Sequence, residues 1–506
     1  MKITLISPYP DIKSFGLRIL SSCLKKEGHG VQLIFLPKRF TEEYKRKTLD
    51  EVVSLSEGAD LIGLSLMTNY FDHAVQVSQA LKAASGTPIL WGGIHPTVRA
   101  EECFNYADMV CIGEGEEALL ELTEKMKNGK PYHDTQSFWF KENGRVIKNQ
   151  LRPLIRNLDA IPFQDYSYDN HYVLKNDSLA RMDAQSLNEY MRGIYVTMPT
   201  RGCPFGCTYC CNNTFNKMHL RQNPIRKRSI DNIINECAAI KSKLPLIGNI
   251  VFDDDAFFIY SAQEIDEFSR KYKEKIGIPL KITGATPTTL TREKLSLLVD
   301  AGLIEIKMGI QSGSENMKRM YNRHHSNAQV EKAARIINEF KDKIRVPAYD
   351  IILDNPWEVN SDLIETLMFL AKLPVPYQLT CFSLTFYPGT ELYEKAKREG
   401  IITDDLKDVY RKDYNFYTTR KSYLNRLFFL LSDYAFYGIG ISQKMMKLLT
   451  SKKIRRMGLH WPLYILLKLR VLFLKIKRAK FLLPELARDI KNGNWNVMRG
   501  KLFRWF

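Results

Sequence analysis

Short apolar runs alternate with amphipathic stretches twice along this chain, over residues 1–135 and again over residues 191–405. Near-continuous apolar strands separated by helical patterns are typical of parallel sheets that helices cover. The first series predicts an N-terminal Rossmann-like, doubly wound domain. The second contains six β/α units and predicts a partial (β/α)6 TIM-like barrel. The predicted fold class is therefore α/β, and such folds place their active sites at the carboxyl ends of the strands.

The two remaining segments lack the alternation of strand and helix patterns. Residues 136–190 are less regular, and we predict an inter-domain connector that follows a short hairpin. In residues 406–506 strand patterns disappear, and Leu-rich, aromatic and Lys/Arg-rich stretches predict a basic, amphipathic helical region. The net charge of the chain is +18, and 23 Lys+Arg against 5 Asp+Glu from Lys407 onward account for all of it.

The beginning of the sequence bears on location and redox state. Its first apolar run ends at Ser7-Pro8, which is too short for a signal peptide or a spanning helix. We therefore expect a cytoplasmic protein. In a reducing compartment, clustered thiols are more often metal ligands or redox groups than disulfides.

Four of the nine cysteines lie within nine positions. Cys203, Cys207 and Cys210 have the spacing C-x3-C-x2-C, directly after the first strand of the second series. A tight loop with this spacing can place three thiolates around an iron–sulfur cubane and leave one iron open. Zinc is the alternative, but a structural zinc site needs a fourth ligand, and paired C-x2-C motifs are absent. Cys211 is expected to point elsewhere and either to pack in the core or to support the ligating cysteines from behind.

The loop resembles that of the radical S-adenosylmethionine superfamily, since it ends in the aromatic-Cys pair Tyr209-Cys210. The resemblance extends over Tyr195–Gly400. It implies a 4Fe-4S cluster held by the three cysteines, with S-adenosylmethionine bound through its amino and carboxylate groups to the open iron. The reduced cluster would then release a 5′-deoxyadenosyl radical, which implies an external one-electron reductant of the flavodoxin or ferredoxin type.

Further stretches support the same resemblance. "FDDDAF" ends the second strand, where the family often has an acidic residue near the cofactor, which assigns Asp253 and Asp254. "GIQSGS" resembles the segment that contacts ribose and methionine, which assigns Gln311 and Ser312, although many relatives have Glu where Gln311 stands. "FYPGTELY" matches a stretch at the sixth strand. Tyr209 is also placed near the cofactor. The alternatives are a solvated acidic cluster and ordinary Gly-Ser turns.

The N-terminal series resembles the cobalamin-binding Rossmann-like domain. Corrinoid methyltransferases carry D-x-H-x-x-G in the first loop, where the histidine ligates cobalt. This chain keeps the spacing with Asp11, Lys13 and Gly16, but a protonated lysine cannot ligate a metal. If cobalamin binds, we therefore predict no imidazole lower ligand from this loop.

Two later stretches complete that resemblance. "SLMT" places Ser65 and Thr68 near the nucleotide tail of cobalamin, and Gly92-Gly93 allows the backbone to approach the ligand. The alternative is a domain that has lost its cofactor and serves as a scaffold. His95 lies beside this face, but we interpret a lone loop histidine as structural and do not assign it to cobalt.

The basic C-terminal region contains "WPLYILLKLRVLFLKIKRAKFLL", which has too many charges to span a bilayer. Its apolar residues interleave with cations, as in a helix that lies in a membrane interface. A helical bundle that caps the barrel is an equal alternative, and nucleic acid ranks third. The cations are Lys468, Arg470, Lys475, Lys477, Arg478 and Lys480.

Together these features predict a cobalamin-dependent radical S-adenosylmethionine methyltransferase that acts on an unactivated carbon of an apolar or lipid-like small molecule. The enzyme would be cytoplasmic, with peripheral contact to the inner face of the membrane. Radical cyclisation, rearrangement or oxidation remains open, as does a non-enzymatic corrinoid or cluster sensor that binds nucleic acid. A methylthiotransferase is disfavoured because Cys23, Cys103 and Cys111 form no second cluster motif.

Overall fold

The structure is a computed structural model that describes residues 1–220, 222–413 and 421–491. The side chains of residues 477–491 are outside that description, so the predictions for Lys477, Arg478 and Lys480 and for residues 492–506 fall outside the described residues.

The N-terminal domain is built on one nine-stranded sheet with the order β7-β6-β5-β4-β3-β1-β2-β8-β9. Strands β1 to β5 and β8 pair in parallel, whereas the β6–β7 and β8–β9 hairpins add antiparallel neighbours. The strands are β1 Lys2–Ser7, β2 Gly30–Phe35, β3 Leu61–Ser65, β4 Ile89–Gly92, β5 Met109–Cys111, β6 Phe138–Glu142, β7 Arg145–Lys148, β8 His171–Lys175 and β9 Ser178–Arg181.

Helices cover both faces of this sheet, which explains why β1 and β2 are buried along nearly their whole length. The strand order reverses between β1 and β3, and ligands of open α/β sheets bind outside the carboxyl ends at such a point. The helices are α1 Phe15–Lys26, α2 Arg46–Ser56, α3 Phe71–Ala84, α4 Ile94–Val98, α5 Ala100–Cys103 and α6 Glu116–Lys127.

The segment predicted as a connector, residues 136–190, contributes strands β6 to β9 to the two edges of this sheet. Its β6–β7 hairpin extends one edge next to β5, and its β8–β9 hairpin extends the other next to β2. Helix α7, Ala184–Met191, then leads into the second domain.

The second domain confirms the partial barrel. Its six strands are all parallel and are neighbours in chain order. They are β10 Ile194–Thr197, β13 Asn249–Phe252, β14 Leu280–Ala285, β15 Leu303–Gln311, β16 Ala348–Leu353 and β17 Gln378–Ser383. A small antiparallel ladder of β11 Thr200–Arg201 and β12 Arg226–Lys227 lies after β10.

The helices of this domain follow the strands as the sequence predicts. Several begin with a Ser or Thr side chain that accepts a backbone N–H, which explains their starting points. They are α8 Cys211–Met218, α9 Ile230–Lys243, α10 Ala262–Lys275, α11 Arg292–Asp300, α12 Glu315–Met320, α13 Asn327–Asn338, α14 Asn360–Leu370 and α15 Glu391–Arg398.

The C-terminal region is helical within the described residues, as predicted. Helix α16 buries Leu427, Phe428 and Leu431 and contacts β17, where Ser432 Oγ accepts the Leu379 N–H at 2.8 Å. No described helix is both long and apolar enough to cross a bilayer. The elements are a single π-helical turn at Leu406–Tyr410, α16 Tyr423–Phe436, α17 Gln443–Thr450, α18 Lys452–Arg456 and α19 His460–Lys491.

Candidate active site

The cysteine loop lies at the carboxyl end of β10, where it is braced by backbone contacts. Asn216 Nδ2 donates to Cys203 O at 2.8 Å, and Asn322 Nδ2 donates to Gly206 O at 2.7 Å. Gly202 has a φ of 84°, and a Cβ there would lie 2.1 Å from Pro224 O. Only glycine fits that position, because other residues would meet both backbone strain and a steric clash.

The three thiols lie close enough to influence one another. Burial, with smaller contributions from Asp255, Cys210 and Cys207, raises the pKa of Cys203 to about 12. Arg323 Nη1 lies 3.5 Å from Cys207 Sγ, while Nη2 donates to Gly309 O at 2.9 Å on β15. The guanidinium therefore places a positive charge beside the sulfur that would ligate the cluster.

The donor set fits an iron–sulfur cluster better than a single metal ion. Within the described ranges, no three His, Cys, Asp or Glu side chains converge to hold one ion. A 4Fe-4S cubane presents a separate iron to each cysteine, so its ligands need not meet at one point. Three thiols on one short loop match that requirement.

Cys211 does not point away from the cluster loop as expected. Its thiol forms a hydrogen bond with that of Cys210, which raises the pKa of Cys210 and lowers that of Cys211. The residue begins helix α8, so the backbone turns sharply enough to bring adjacent side chains together.

The acidic run after β13 divides into three different environments. Asp253 is exposed, and its Oδ1 accepts from Thr283 Oγ1 at 2.8 Å. Asp254 is buried, accepts from the Thr200 N–H and hydroxyl and the Ala256 N–H, and has a pKa raised to about 6 by burial. Asp254 therefore braces the start of the cysteine loop.

Asp255, which the sequence analysis left unassigned, lines the cavity beside this loop. Burial raises its pKa, and Asn212 donates to its carboxylate. Its charge also acts on the pKa values of Cys203 and Cys210. In the sequence, the run Asp253-Asp254-Asp255 indicates an acidic residue near the cofactor. The run alone does not show which of the three aspartates faces the cavity.

The end of β15 offers an unpaired acceptor. Gln311 has a φ of 66°, and its buried Oε1 has no hydrogen-bond partner within the described residues. Ser312 is buried and its Oγ lies 2.9 Å from Thr366 Oγ1, so it stabilises the loop. On β15 and β16, Lys307 Nζ lies 3.1 Å from Asp350 Oδ1. S-adenosylmethionine carries amino, carboxylate and hydroxyl groups, and the Gln311 acceptor with the partly exposed Lys307–Asp350 pair offers polar groups that fit them.

Tyr209 packs between the cysteine loop and helix α12. Its ring lies 5.3 Å from that of Tyr321 in an edge-to-face arrangement, and its hydroxyl hydrogen-bonds with the Cys207 side chain. The Tyr209 side chain therefore stabilises the cysteine loop by packing against Tyr321 and by its hydrogen bond with Cys207.

One cavity of about 370 Å³ joins the N-terminal domain to the cysteine loop. The N-terminal side contributes predicted cobalamin contacts, and the barrel side contributes residues on or next to the cysteine loop. Helix α8 supplies part of the lining with Asn212, Phe215, Asn216 and the following His219, which share one helical face. From the N-terminal domain the lining includes Gly16, Ser65, Gly92 and Gly93, and from the barrel Met198, Arg201, Gly202 and Asp255.

The deeper part of this cavity is an apolar slot at the point where the strand order reverses. Leu5, Leu64 and Leu90 line it. Gly63 also lines it, and a Cβ there would lie 2.9 Å from Leu5 Cδ2. Gly93 has a φ of 101°, and its Cβ would lie 2.8 Å from Leu66 O. Such a slot fits the nucleotide tail of cobalamin, and the remaining part of the cavity would take the corrin.

The first loop of the domain has local hydrogen bonds. Asp11 Oδ1 accepts the backbone N–H of Lys13 at 2.7 Å, which forms a turn ahead of Gly16 at the cavity. This loop therefore keeps the D-x-x-x-x-G spacing of the cobalamin-binding motif. The Asp11 carboxylate stabilises the turn by accepting the Lys13 N–H.

Thr68 and His95 lie in a buried polar cluster behind the cavity. The Thr68 hydroxyl lies 3.2 Å from His95 Nδ1, and His95 Nε2 lies 2.9 Å from Glu102 Oε1. Burial lowers the pKa of His95. The interpretation of His95 as a structural residue agrees with these contacts, and Thr68 faces His95.

Ion pairs fasten the cysteine loop to the N-terminal domain. Arg201 Nη1 lies 3.0 Å from Glu114 Oε1, and Arg201 Nη2 lies 2.5 Å from Glu116 Oε1. Arg226 Nη1 lies 2.8 Å from Glu114 Oε1. Because Arg201 comes just before Gly202, these contacts set the position of the thiols relative to the cobalamin slot.

A doubly wound domain with a slot at its switch point, facing a three-cysteine loop on a partial barrel, defines a cobalamin-binding radical S-adenosylmethionine protein. Family comparison agrees: the B12 binding domain matches residues 1–123 and the radical SAM superfamily matches residues 197–370. The chain belongs to the cobalamin-binding branch of the radical S-adenosylmethionine enzymes. Its cofactors are a 4Fe-4S cluster, S-adenosylmethionine and cobalamin.

Curated relatives include two kinds of enzyme. An uncharacterised methyltransferase of Pyrococcus horikoshii is 26% identical over 76% of this chain and 79% of its own length. The bacteriochlorophyllide d C-8(2)-methyltransferase of Chlorobaculum tepidum is 23% identical, with coverage of 74% and 76%. The anaerobic magnesium-protoporphyrin IX monomethyl ester cyclase of Rubrivivax gelatinosus is 23% identical, with coverage of 79% and 68%.

A solved structure shares the fold. The radical S-adenosylmethionine methyltransferase TsrM from Kitasatospora setae, with cobalamin and a [4Fe-4S] cluster bound, aligns with a TM-score of 0.61. The alignment covers 79% of this chain and 75% of that chain at 16% identity.

Proposed function

We propose that this enzyme transfers a methyl group to an unactivated carbon of an apolar small molecule. Cys203, Cys207 and Cys210 would ligate the cluster, and Gln311, Asp253 and the concave face of the barrel would bind S-adenosylmethionine. Ser65, Gly92 and Gly93 would border cobalamin. When bound, these cofactors supply a carbon-centred radical and a methyl donor. The observation that carries the proposal is the single cavity between the thiol loop and the apolar slot.

The chain's own groups contribute positioning and charge. Arg323 would place its charge beside the Cys207 sulfur, while Asp254 and Asn216 hold the start of the cysteine loop at Thr200 and Cys203. The Gln311 Oε1 acceptor, which has no partner among the described residues, is available to a polar cofactor group. The enzyme takes its electron from an external reductant, which we propose to be of the flavodoxin or ferredoxin type.

Methylation is favoured over cyclisation by the relatives that are named methyltransferases. The cyclase relative makes radical ring closure the second candidate. Two relatives act on large tetrapyrroles by name, and this supports an amphiphilic or lipid-like substrate for this chain as well.

The experiment is anaerobic turnover of the reconstituted holoenzyme with a titanium(III) reductant and an apolar extract of the source cells. Methyl transfer predicts 5′-deoxyadenosine and S-adenosylhomocysteine together, with label from methyl-deuterated S-adenosylmethionine in a carbon-bound product. Formation of 5′-deoxyadenosine without S-adenosylhomocysteine would favour cyclisation or oxidation. Absence of both products from a cluster-loaded, cobalamin-loaded enzyme would contradict radical chemistry on this substrate class.

A further inference from the structure

Helix α19 exposes an apolar face that none of the described residues covers. Ten of the seventeen large apolar side chains exposed in the described part of the chain lie between Leu448 and Ile476. Seven of them are on α19, and Leu466 and Phe473 are about two-thirds exposed. The seven are Trp461, Ile465, Leu466, Leu469, Leu472, Phe473 and Ile476. Exposed apolar side chains at this density mark an interaction surface.

The seven residues form one continuous stripe. At about 100° per residue they cover an arc of about 140°. The opposite side of the helix packs on α16, where Tyr464 and Val471 are buried and the Tyr434 hydroxyl donates to Leu467 O at 3.1 Å. The protein therefore holds α19 from behind and presents its apolar stripe outward.

Cations flank this stripe on both sides. Lys468 and Lys475 lie along one border and share the carboxylate of Asp433, at 2.5 and 3.7 Å. Arg470 lies along the other border, with its guanidinium 5.8 Å from the Tyr434 ring. One carboxylate balances the lysine pair in part, so the borders of the stripe keep a net positive charge.

The surrounding sequence strengthens the positive field. Residues 438–476 contain nine Lys+Arg and no Asp or Glu. In helix α18 and its flanks, Lys452, Lys453 and Arg456 are exposed, and the described structure gives none of them a salt-bridge partner. An apolar stripe with cations on its borders is the arrangement of a helix that lies in the headgroup region of an anionic bilayer.

We propose that the exposed face of α19, together with the cations of α18, docks the enzyme on an anionic lipid surface. The apolar stripe enters the interface between headgroups and acyl chains, while Lys468, Lys475 and Arg470 reach lipid phosphates. Because α19 is anchored on α16, which packs on β17, docking places the barrel directly against the membrane.

The test is co-sedimentation of the full-length protein with vesicles of phosphatidylcholine alone or with 30% phosphatidylglycerol, at about 0.1 M and 0.5 M salt. We expect binding to the anionic vesicles that weakens at the higher salt, because the Debye length shortens from about 10 Å. Leu469→Glu with Phe473→Glu should lower vesicle affinity at least about tenfold, since two buried apolar side chains are lost. Lys452→Gln with Lys453→Gln should lower it about fivefold per cation, on anionic vesicles only.

The matched control is Leu246→Glu, which alters an equally exposed leucine on the barrel domain and should leave vesicle binding unchanged. Cleavage of S-adenosylmethionine, measured separately, should be unchanged in every variant, so membrane binding and catalysis are tested independently. Lipids brominated on the acyl chain should quench the fluorescence of Trp461, and Trp461→Phe should remove that part of the quenching.

Four results would overturn the proposal. The wild-type protein could fail to sediment with either vesicle, or the Leu469→Glu/Phe473→Glu variant could bind as tightly as wild type. The protein could be a dimer that this variant converts to a monomer, which would make a second copy the occupant. Finally, RNA could bind at the same salt and be unaffected by the variant, which would assign the cations to nucleic acid.

Discussion

At the scale of single residues, neighbouring residues of the same type have different roles, because one faces the cavity while the next stabilises the loop. Asp253, Asp254 and Asp255 are consecutive, yet the first is exposed, the second braces the cysteine loop, and the third lines the cavity. Cys210 and Cys211 are also adjacent, and their thiols contact each other. Side-chain type predicted the chemistry of these runs, whereas the role of each member follows from the backbone turn.

The three proposed cluster ligands are separable from Cys211 by substitution. Cys203→Ala, Cys207→Ala or Cys210→Ala should abolish the iron–sulfur absorbance and reduce cleavage of S-adenosylmethionine below detection, because two thiolates cannot hold the cubane in this loop. Cys211→Ala should keep most of the iron. Iron and sulfide analysis after anaerobic reconstitution measures this, and full iron content in any of the three variants would refute the assignment.

Asp254 makes stability depend on pH. Burial raises its pKa from 3.8 to about 6, so the folded protein binds a proton that the unfolded chain has released. The free energy of unfolding should therefore fall as the pH rises from about 4 to about 6, by at most about 3 kcal/mol. Thermal unfolding of the apoprotein over this range should show the decline, and Asp254→Asn should flatten it. Asp253→Asn is the control, and an unchanged profile in Asp254→Asn would contradict this account.

At the scale of elements, glycines at strand ends decide whether a cofactor has room. Gly92 ends β4 and lines the slot, while Gly93 follows with a left-handed backbone. The sequence pair suggested close approach to a ligand, and both glycines line the cavity. Gly93 also permits the turn into α4.

Gly92→Ala should lower the amount of cobalamin retained per chain with little loss of fold stability. The added Cβ would lie 3.6 Å from Cys111 Cβ, which is an ordinary van der Waals contact, so the core should not be strained. The methyl group would instead occupy space in the slot that cobalamin needs. Cobalamin absorbance after gel filtration measures retention, and urea unfolding measures stability. Gly86→Ala, where nothing lies within 4 Å, is the matched control. Equal retention in the two variants would place cobalamin elsewhere.

At the scale of the whole molecule, the two α/β domains enclose the site between them. Arg201 reaches from the cysteine loop to Glu114 and Glu116 at the start of α6, and the cavity lies alongside. Neither domain contains the complete site, which requires both a corrin slot and a thiol loop. The basic helices stand apart from this cavity and cap the last strand of the barrel.

Arg201→Ala should loosen the junction between the domains. Removal of the guanidinium leaves the Glu116 carboxylate without its partner, whereas Glu114 keeps Arg226, and the change should cost about 2–3 kcal/mol of unfolding free energy. Arg270→Ala breaks an exposed pair with Asp266 and should cost less than about 0.5 kcal/mol. Urea unfolding measures the loss of unfolding free energy in each variant. Hydrogen exchange, measured separately for each domain, tests whether the junction has loosened. Similar losses in both variants would show that the junction does not depend on Arg201.

The sequence by itself determined the order of elements, the two α/β domains and the helical end of the chain. It also located the thiol loop and the glycine-lined slot. These follow from periodicity and spacing within a few residues, because local backbone geometry sets which side chains share a face.

Only the tertiary structure decided what depends on contacts distant in sequence. Residues 136–190 look irregular in sequence, yet their two hairpins complete the sheet at opposite edges, with residues 149–170 between them along the chain. Likewise, Asp255 faces the cavity, the Gln311 acceptor has no partner in the part of the chain that the structure describes, and α19 turns its apolar stripe outward. The physical reason is that edge pairing, burial and the choice of packed face are free energies of long-range contact, which local patterns do not contain.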